Sequence, residues 1–237
     1  MSILGSIPPE NAAYLVNDRL LNPGDSFDAR GSPGPDADLG ASPILFDVGE
    51  RKLVADGDKA GRFFAFDRAT GEPAWAVTVD FVGEGMTPAE KEGFLGTAAY
   101  ADGILFAPTT SRSMVHAIDA ASGRVLWARE LNERPLTYGD RMFGSTTVTN
   151  GVVLQGNAYG QVHALDARDG SILARLDVGG DVQAGISVAN ETIFVPDAGD
   201  VLWAGSGNVT AYRIGPDAAS TPTPMVVLPA AASAITT

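Results

Sequence analysis

A repeat with a period of about 47 residues limits what this chain can fold into. Three segments align without gaps: RFFAFDRATGEPAW at 62–75, SMVHAIDAASGRVLW at 113–127 and QVHALDARDGSILA at 161–174. A fourth, NVTAYRIG at 208–215, matches only the first part, and the shared alanines are Ala65, Ala117, Ala164 and Ala211. Such repeats are typical of architectures in which each unit packs only against its neighbours.

Each repeat predicts an antiparallel hairpin. A β-prone run comes first, at Phe63–Phe66, Val115–Ile118 and Val162–Leu165. Asp-x-x-x-Gly follows, in which Asp bonds the backbone two residues on and Gly takes a positive φ. We therefore interpret three aspartates as turn formers: Asp67, Asp119 and Asp166. The chain then returns as an outer strand, at Pro73–Val79, Arg124–Arg129 and Ser171–Val178.

Two more strand-like runs precede each hairpin. In the third repeat they are Ser145–Thr149 and Val152–Gln155, and Asn150-Gly151 between them is a strong tight-turn signal. The other pairs are Gly96–Tyr100 with Ile104–Ala107, and Gly185–Val188 with Thr192–Val195. Four short antiparallel strands in each period make one blade of a β-propeller. The sequence predicts an all-β fold, a partial β-propeller of about four four-stranded blades, the last without a clear outer strand.

Composition excludes several classes of function. Among the 237 residues, 16 are basic and 29 acidic, and the net charge of −13 argues against nucleic acid or an anionic membrane as partner. The absence of cysteine excludes disulfides, thiol catalysis and zinc–thiolate sites. No apolar run approaches the ~18 residues of a membrane span. The first twenty residues lack the basic and apolar regions of a secretory signal peptide, so we expect none in this chain.

The two histidines, His116 and His163, suggest a metal pair at first sight. They occupy the same repeat position, however, which Phe64 and Thr210 hold in the other copies. A multi-histidine metal centre needs more ligands than these two. We therefore predict that both histidines are packing residues.

Two of the three tryptophans are also repeat positions. Trp75 and Trp127 are repeat positions, and we interpret them as anchors of blade packing rather than cofactor-stacking groups. Trp203 lies in an irregular stretch at 197–207. A position facing a central funnel and an ordinary loop position are both open for Trp203.

The pattern Ala-hydrophobic-Asp-x-x-(Thr/Ser)-Gly-x-x-x-Trp is complete at 65–75 and 117–127 and largely present at 164–170. It resembles the repeat of quinoprotein propellers, the pyrroloquinoline quinone (PQQ) dehydrogenases, which are eight-bladed. The resemblance covers about 34–215 and implies the C-terminal half of such a ring. Non-catalytic outer-membrane assembly lipoproteins of the BamB type use a similar repeat. The repeat therefore specifies the fold more closely than the activity.

A second stretch, GPDADLGASPIL at 34–45 followed by DKAG at 58–61, is similar to polyvinyl-alcohol-dehydrogenase-like and related PQQ alcohol dehydrogenases. This resemblance implies Asp36 as the catalytic base, Asp38 as a metal ligand and Lys59 as the basic residue touching the quinone carbonyl. The implied cofactors are PQQ and Ca²⁺. The implied location is periplasmic or extracellular.

In that chemistry a carboxylate takes the alcohol proton while hydride passes to the quinone, and a cation polarises the quinone carbonyl. The site is incomplete in this chain. Ca²⁺ takes ~6–8 oxygen ligands, and two acids on one loop are too few. The family's upstream Glu and Asn ligands and its adjacent cysteines have no counterpart, and Ala37 stands where an aromatic is common. An acidic surface turn at 33–38 and a solvated loop lysine at Lys59 are the alternatives.

The sequence divides into an irregular N-terminal segment at 1–33, the blades at 34–215 and a disordered Ala/Thr/Pro-rich tail at 216–237. A half ring would expose two apolar blade faces. If each face exposes several hundred Å², the lost burial costs on the order of 10 kcal/mol per face, at ~25 cal/mol per Å². Patches of that size are normally covered. A missing N-terminal propeller half or self-association through the open blade faces would cover them, and we favour a fragment of a longer protein.

Three functions compete at this point. The first is the C-terminal half of a PQQ-dependent alcohol dehydrogenase, oxidising a small or polymeric alcohol by hydride transfer to PQQ and inactive as an isolated fragment. The second is a non-catalytic propeller acting as a protein-interaction or assembly scaffold. The third is a propeller that binds sugars or polymers without redox chemistry. Convergence of Asp36, Asp38 and Lys59 at the funnel mouth would favour the first.

Overall fold

A computed structural model describes residues 39–59, 61–79, 93–110, 113–131, 144–197 and 207–213. These residues form strands and turns, without helix. In blade 1 the strands are β1 Ile44–Val48, β2 Arg51–Gly57, β3 Arg62–Asp67 and β4 Pro73–Thr78. In blade 2 they are β5 Ala99–Ala101, β6 Ile104–Thr109, β7 Met114–Asp119 and β8 Val125–Glu130. In blade 3 they are β9 Thr147–Thr149, β10 Val152–Gly156, β11 Gln161–Asp166 and β12 Ile172–Asp177. In blade 4 they are β13 Ser187–Ala189, β14 Thr192–Asp197 and β15 Asn208–Arg213.

Within each blade, strands adjacent in sequence are hydrogen-bonded neighbours and antiparallel. Blades 1 to 3 have four strands, and blade 4 has three among the described residues. The predicted all-β partial propeller is confirmed. The predicted segments 1–33 and 216–237 lie outside the described residues. No helix long and apolar enough to cross a lipid bilayer occurs in the described ranges.

The hairpin between the third and fourth strands is closed by the predicted aspartate. The Asp67 carboxylate accepts hydrogen bonds from the backbone N–H groups of Ala69, at 2.8 Å, and Thr70, at 3.0 Å. These bonds lower the pKa of Asp67 below its ordinary value. The glycine that ends the turn, Gly71, has a φ of 75°. Asp119 and Asp166 accept equivalent backbone bonds. The interpretation of these aspartates as turn formers is therefore confirmed.

The hydrophobic core lies between blades. We call the face of a blade that meets the following blade its leading face, and the face that meets the preceding blade its trailing face. Side chains alternate between the two along each strand. Between blades 1 and 2, for example, Leu53 and Phe63 on a leading face pack with Leu105 and Ile118 on a trailing face. Similar clusters join blade 2 to blade 3 and blade 3 to blade 4.

Two tryptophans fasten blade 1 to blade 2 and blade 2 to blade 3. The Trp75 indole N–H on β4 donates to the carbonyl of Ala120 in blade 2, at 2.9 Å. The Trp127 indole on β8 repeats this bond to Ala167 in blade 3, at 3.0 Å. Both side chains are blade-packing anchors, as the sequence predicted. Ala174 stands at the equivalent place in blade 3 and cannot make the bond.

The Trp127 ring lies against Gly170, which predicts a cost for any side chain there. A Cβ at Gly170 would lie 2.6 Å from Cε3 of Trp127, and its φ of +69° adds strain. We expect Gly170→Ala to lower the free energy of unfolding by about 2 kcal/mol. Gly151→Ala is the matched control, because Gly151 has a similar φ of +74° with nothing within 4 Å. Equal losses in urea unfolding would show that the Trp127 ring accommodates the added methyl group without cost.

The two histidines are fully buried packing residues. His116 on β7 lies edge-on to Phe94, with ring centroids 5.8 Å apart. Burial lowers the pKa of His116 to about 4, although a hydrogen bond with the backbone of Ala107 opposes the shift. The ring is therefore neutral at physiological pH, as a packing residue in an apolar interior should be.

Candidate functional site

Lys59, one of the three residues predicted for the site, lies at one edge of blade 1. Strand β1 begins at this edge, because Ile44 pairs with Ala55 near the end of β2. The β2–β3 turn is at the same edge and carries Lys59. Asp36 and Asp38 precede β1 but lie outside the described residues. Of the three predicted site residues, only Lys59 has a described position.

The Lys59 turn packs tightly against the segment that leads into blade 2. The Phe94 backbone N–H donates to the carbonyl of Asp58, at 2.9 Å. A Cβ added at Gly93 would lie 2.7 Å from both the Cα and the carbonyl oxygen of Lys59. The carbonyl of Gly93 in turn accepts bonds from the N–H and hydroxyl of Thr110, at 2.9 and 2.8 Å. The Lys59 backbone is therefore closely packed against a segment that is itself bonded to blade 2, and Lys59 is half-buried.

The carboxylate beside Lys59 is used within the turn. Asp58 is buried and forms an ion pair with Arg62. Its Oδ1 also accepts the backbone N–H of Arg62, at 2.9 Å, while its own N–H donates to the Arg62 carbonyl. A buried charge is retained at low cost only when it is paired in this way. Asp58 therefore stabilises the turn.

Sequence reasoning missed that this position is polar and buried in every blade. Pairing registers align four residues at the end of the second strand: Asp58, Thr109, Asn157 and Asp197. The Asn157 side-chain oxygen accepts the backbone N–H groups of Tyr159 and Gln161, both at 3.0 Å. Such bonds satisfy turn amides that would otherwise be buried without partners. The available sequence signal was a polar residue after each apolar second strand.

Asp56, near the end of β2, has a pKa well above its ordinary value. It lies on the trailing face, and its Oδ1 accepts the N–H of Gly57, at 2.8 Å. Burial raises the pKa of Asp56 to about 7, the bond from Gly57 opposes the shift, and the nearby Asp58 charge adds to it. Apolar Ala107 and Val195 hold the equivalent positions in blades 2 and 4.

Gln155 holds the Asp56 position in blade 3 and shows how a polar side chain is accommodated there. Its oxygen accepts the Thr146 hydroxyl, at 2.6 Å. Its amide nitrogen donates to the carbonyls of Gly144 and Gly156, at 3.0 and 3.1 Å. A neutral amide both donates and accepts, whereas a carboxylate only accepts. The Asp56 position therefore favours a neutral group.

The described residues do not assemble a calcium site. They contain no group of three or more His, Asp or Glu side chains placed to hold a metal ion. The resemblance implied that Lys59 acts at a quinone together with two acids. Those acids, Asp36 and Asp38, lie outside the described residues. The described donors therefore do not fit Ca²⁺. Trp203, whose orientation the sequence left open, also lies outside the described ranges.

A protein-family model described as "Outer membrane protein assembly factor BamB" matches residues 59–147 and 111–211. The two matches overlap and together cover more than half of the chain. They include all or part of each of the four blades. No curated protein matches the chain at a significant level of sequence similarity.

Solved structures share the fold at low identity. BamB from Moraxella catarrhalis superposes with a TM-score of 0.56 and 19% identity, over 77% of this chain and 48% of that one. Quinohemoprotein alcohol dehydrogenase from Comamonas testosteroni gives 0.58 and 16%, over 76% and 34%. The computationally designed Ika4 protein gives 0.52 and 17%, over 77% and 95%.

The chain thus spans about half the length of the BamB structure and about a third of the dehydrogenase structure. Identities this low show the fold and leave activity open. The family assignment rests on the match to the protein-family model, and it agrees with the blade architecture. The chain belongs to the family of PQQ-type propeller repeats described as outer membrane protein assembly factor BamB.

Proposed function

We propose that the chain acts as a non-catalytic, protein-interaction propeller of the assembly-factor type. The observation that carries the proposal is the family match, which runs through the blades themselves at 59–147 and 111–211. The polar chemistry at the predicted site supports it. The Asp58 carboxylate stabilises its own turn, and the Lys59 backbone packs closely against the segment that leads into blade 2.

The ends of the propeller offer the surface for such a partner. At the end opposite Lys59, Gly103 and Gly151 stand in tight turns with nothing within 4 Å of a Cβ built on either. Asp102 and Asn150 precede these glycines, and both are exposed. Loops held on a rigid scaffold commonly carry binding function.

A photo-crosslinking amino acid placed at Asp102, and separately at Lys59, tests the proposal in the native host. We expect one discrete cross-linked protein at one end of the propeller, with the same yield whether or not PQQ is supplied. Leu173, exposed on the outer strand of blade 3, is the control position. Diffuse products at both ends, at the level of the control, would refute the interaction role.

Quinone-dependent alcohol oxidation is the second candidate. The observation favouring it is that Lys59 lies at the edge where β1 begins, and Asp36 and Asp38 precede that strand in sequence. In this proposal Asp36 holds the alcohol proton, Asp38 contributes to the cation site and Lys59 faces the quinone carbonyl. PQQ bound with Ca²⁺ would supply the hydride-accepting quinone.

Titration of PQQ with Ca²⁺ into the purified chain tests this candidate. Binding that shifts the quinone absorbance, weakens in Lys59→Gln and supports alcohol-dependent dye reduction would favour the enzyme over the scaffold. The interaction proposal expects neither binding nor dye reduction. We also propose a location in the cell envelope, with a partner that completes the propeller, either a missing N-terminal half or a second copy.

A further inference from the structure

The leading face of blade 4 is exposed, whereas the leading faces of blades 1 to 3 are buried against the following blade. Val209 on β15 occupies the position that Phe63, Val115 and Val162 hold in blades 1 to 3. Those three side chains are 2%, 0% and 3% exposed, whereas Val209 is 56% exposed. Phe194, next to it on this face, is only half-buried. Blade 4 thus presents an uncovered surface of the kind that joins the other blades.

The trailing face of blade 1 is open at its inner part. Leu45 on β1 is 62% exposed, although its equivalents Tyr100, Val148 and Val188 pack into the clusters between blades. Val54, the pairing partner of Leu45, is half-buried.

The outer part of the same face is covered. Phe64 and Phe66 are only 2% and 4% exposed within the chain. The open area is therefore the inner patch at Leu45 and Val54. A partner that reaches this face would meet the inner strands of blade 1 first.

We infer that the leading face of blade 4 docks onto the inner trailing face of blade 1 in a second copy of this chain. At the inner strands, the contact continues the interface that already joins blades 1 to 2, 2 to 3 and 3 to 4. One chain spans 48% of the BamB structure, so two copies supply about the length of one such propeller. The inference holds whether or not the propeller is catalytic.

The symmetry of this contact makes it distinctive. One patch meets a different patch, and a two-fold axis repeats the contact, so that Val209 of each copy faces Leu45 of the other. Each copy carries a net charge of −13, so screening by salt should strengthen the association. A dimer made through one self-complementary patch would not need both Val209 and Leu45.

The oligomeric state of the full chain, followed by light scattering and sedimentation over a wide concentration range, tests the inference. We expect Val209→Asp and Leu45→Asp each to raise the dimer Kd at least about tenfold, because each places a charge in an apolar contact. Leu173→Asp is the matched control, since Leu173 is 54% exposed and lies on neither docking face. Circular dichroism verifies folding, and Val209→Thr replaces Val209→Asp if that variant unfolds.

Mixing the two aspartate variants provides the decisive arm. A Val209→Asp copy keeps its blade 1 patch, and a Leu45→Asp copy keeps its blade 4 patch, so the mixture retains one intact interface. We expect the mixture to associate more tightly than either variant alone. A wild-type chain that stays monomeric at every concentration, or a dimer insensitive to Leu45→Asp, would overturn the inference.

Discussion

Trp127→Ala should lower the free energy of unfolding by about 3 kcal/mol, since the change removes a large ring and its hydrogen bond together. The ring joins blade 2 to blade 3: it contacts Phe106, lies against Gly170 and donates to the Ala167 carbonyl. Stability in a repeat fold depends on such nearest-neighbour interfaces. Urea unfolding followed by circular dichroism measures the loss.

Trp127→Phe separates the two contributions, because it keeps most of the packing and removes only the indole N–H. We expect that variant to lose about 1 kcal/mol. Leu126→Ala is the control on the same strand, since Leu126 is exposed and should change stability little. A Trp127→Ala loss no larger than that of Leu126→Ala would mean that the ring does not hold the blades together.

Asp56→Asn should stabilise the chain at and above neutral pH. The folded-state pKa of Asp56 is about 7, against an ordinary value of 3.8. The folded chain therefore keeps a proton that the unfolded chain releases, and wild-type stability falls as pH rises from about 4 to 7. Asn stays neutral and retains an oxygen for the Gly57 N–H. We expect the variant to gain on the order of 3 kcal/mol by pH 8 and almost nothing below pH 4.

The quantity to measure is the free energy of unfolding of the variant minus that of the wild type. The titration of His116 makes stability rise with pH, whereas that of Asp56 makes it fall. The folded-state pKa of His116, about 4, is below the ordinary 6.5, so stability from His116 is lost as pH falls from 6.5 to 4. Subtracting the two unfolding free energies at each pH removes that common contribution. A difference that does not change with pH would contradict the raised pKa of Asp56.

The blades were predictable from the sequence because the aligned repeats show where corresponding strands and turns lie. Asp67, Asp119 and Asp166 marked one turn in each of blades 1 to 3, and Trp75 and Trp127 marked the outer strands of blades 1 and 2. The β-prone runs between these markers left few alternatives for pairing. The three described strands of blade 4 were also anticipated, from the partial repeat at 208–215 and the two strand-like runs before it.

The buried polar positions were not predictable in the same way. Asp58, Thr109, Asn157 and Asp197 are of three residue types, so they do not stand out in an alignment of the repeats. Their shared burial follows from packing between blades, which a single repeat does not specify. The raised pKa of Asp56 has the same origin, because the shift depends on what surrounds the carboxyl.

The candidate site was the least predictable part. The resemblance assigned three residues, of which only Lys59 is described, and its surroundings serve the joining of two blades. Asp36 and Asp38 remain predictions. The same turn geometry would be needed in a scaffold and in an enzyme, so the fold alone does not choose between them.

Nuclear Overhauser contacts of the two indole rings test most directly whether successive repeats stack as blades. The structure predicts that the Trp75 ring contacts the Hα protons of Gly123, and that the Trp127 ring contacts those of Gly170. Each indole N–H should also exchange slowly, since it bonds to a carbonyl of the next blade. Rings that contact only their own repeat, with fast-exchanging indole protons, would contradict the stacked-blade architecture.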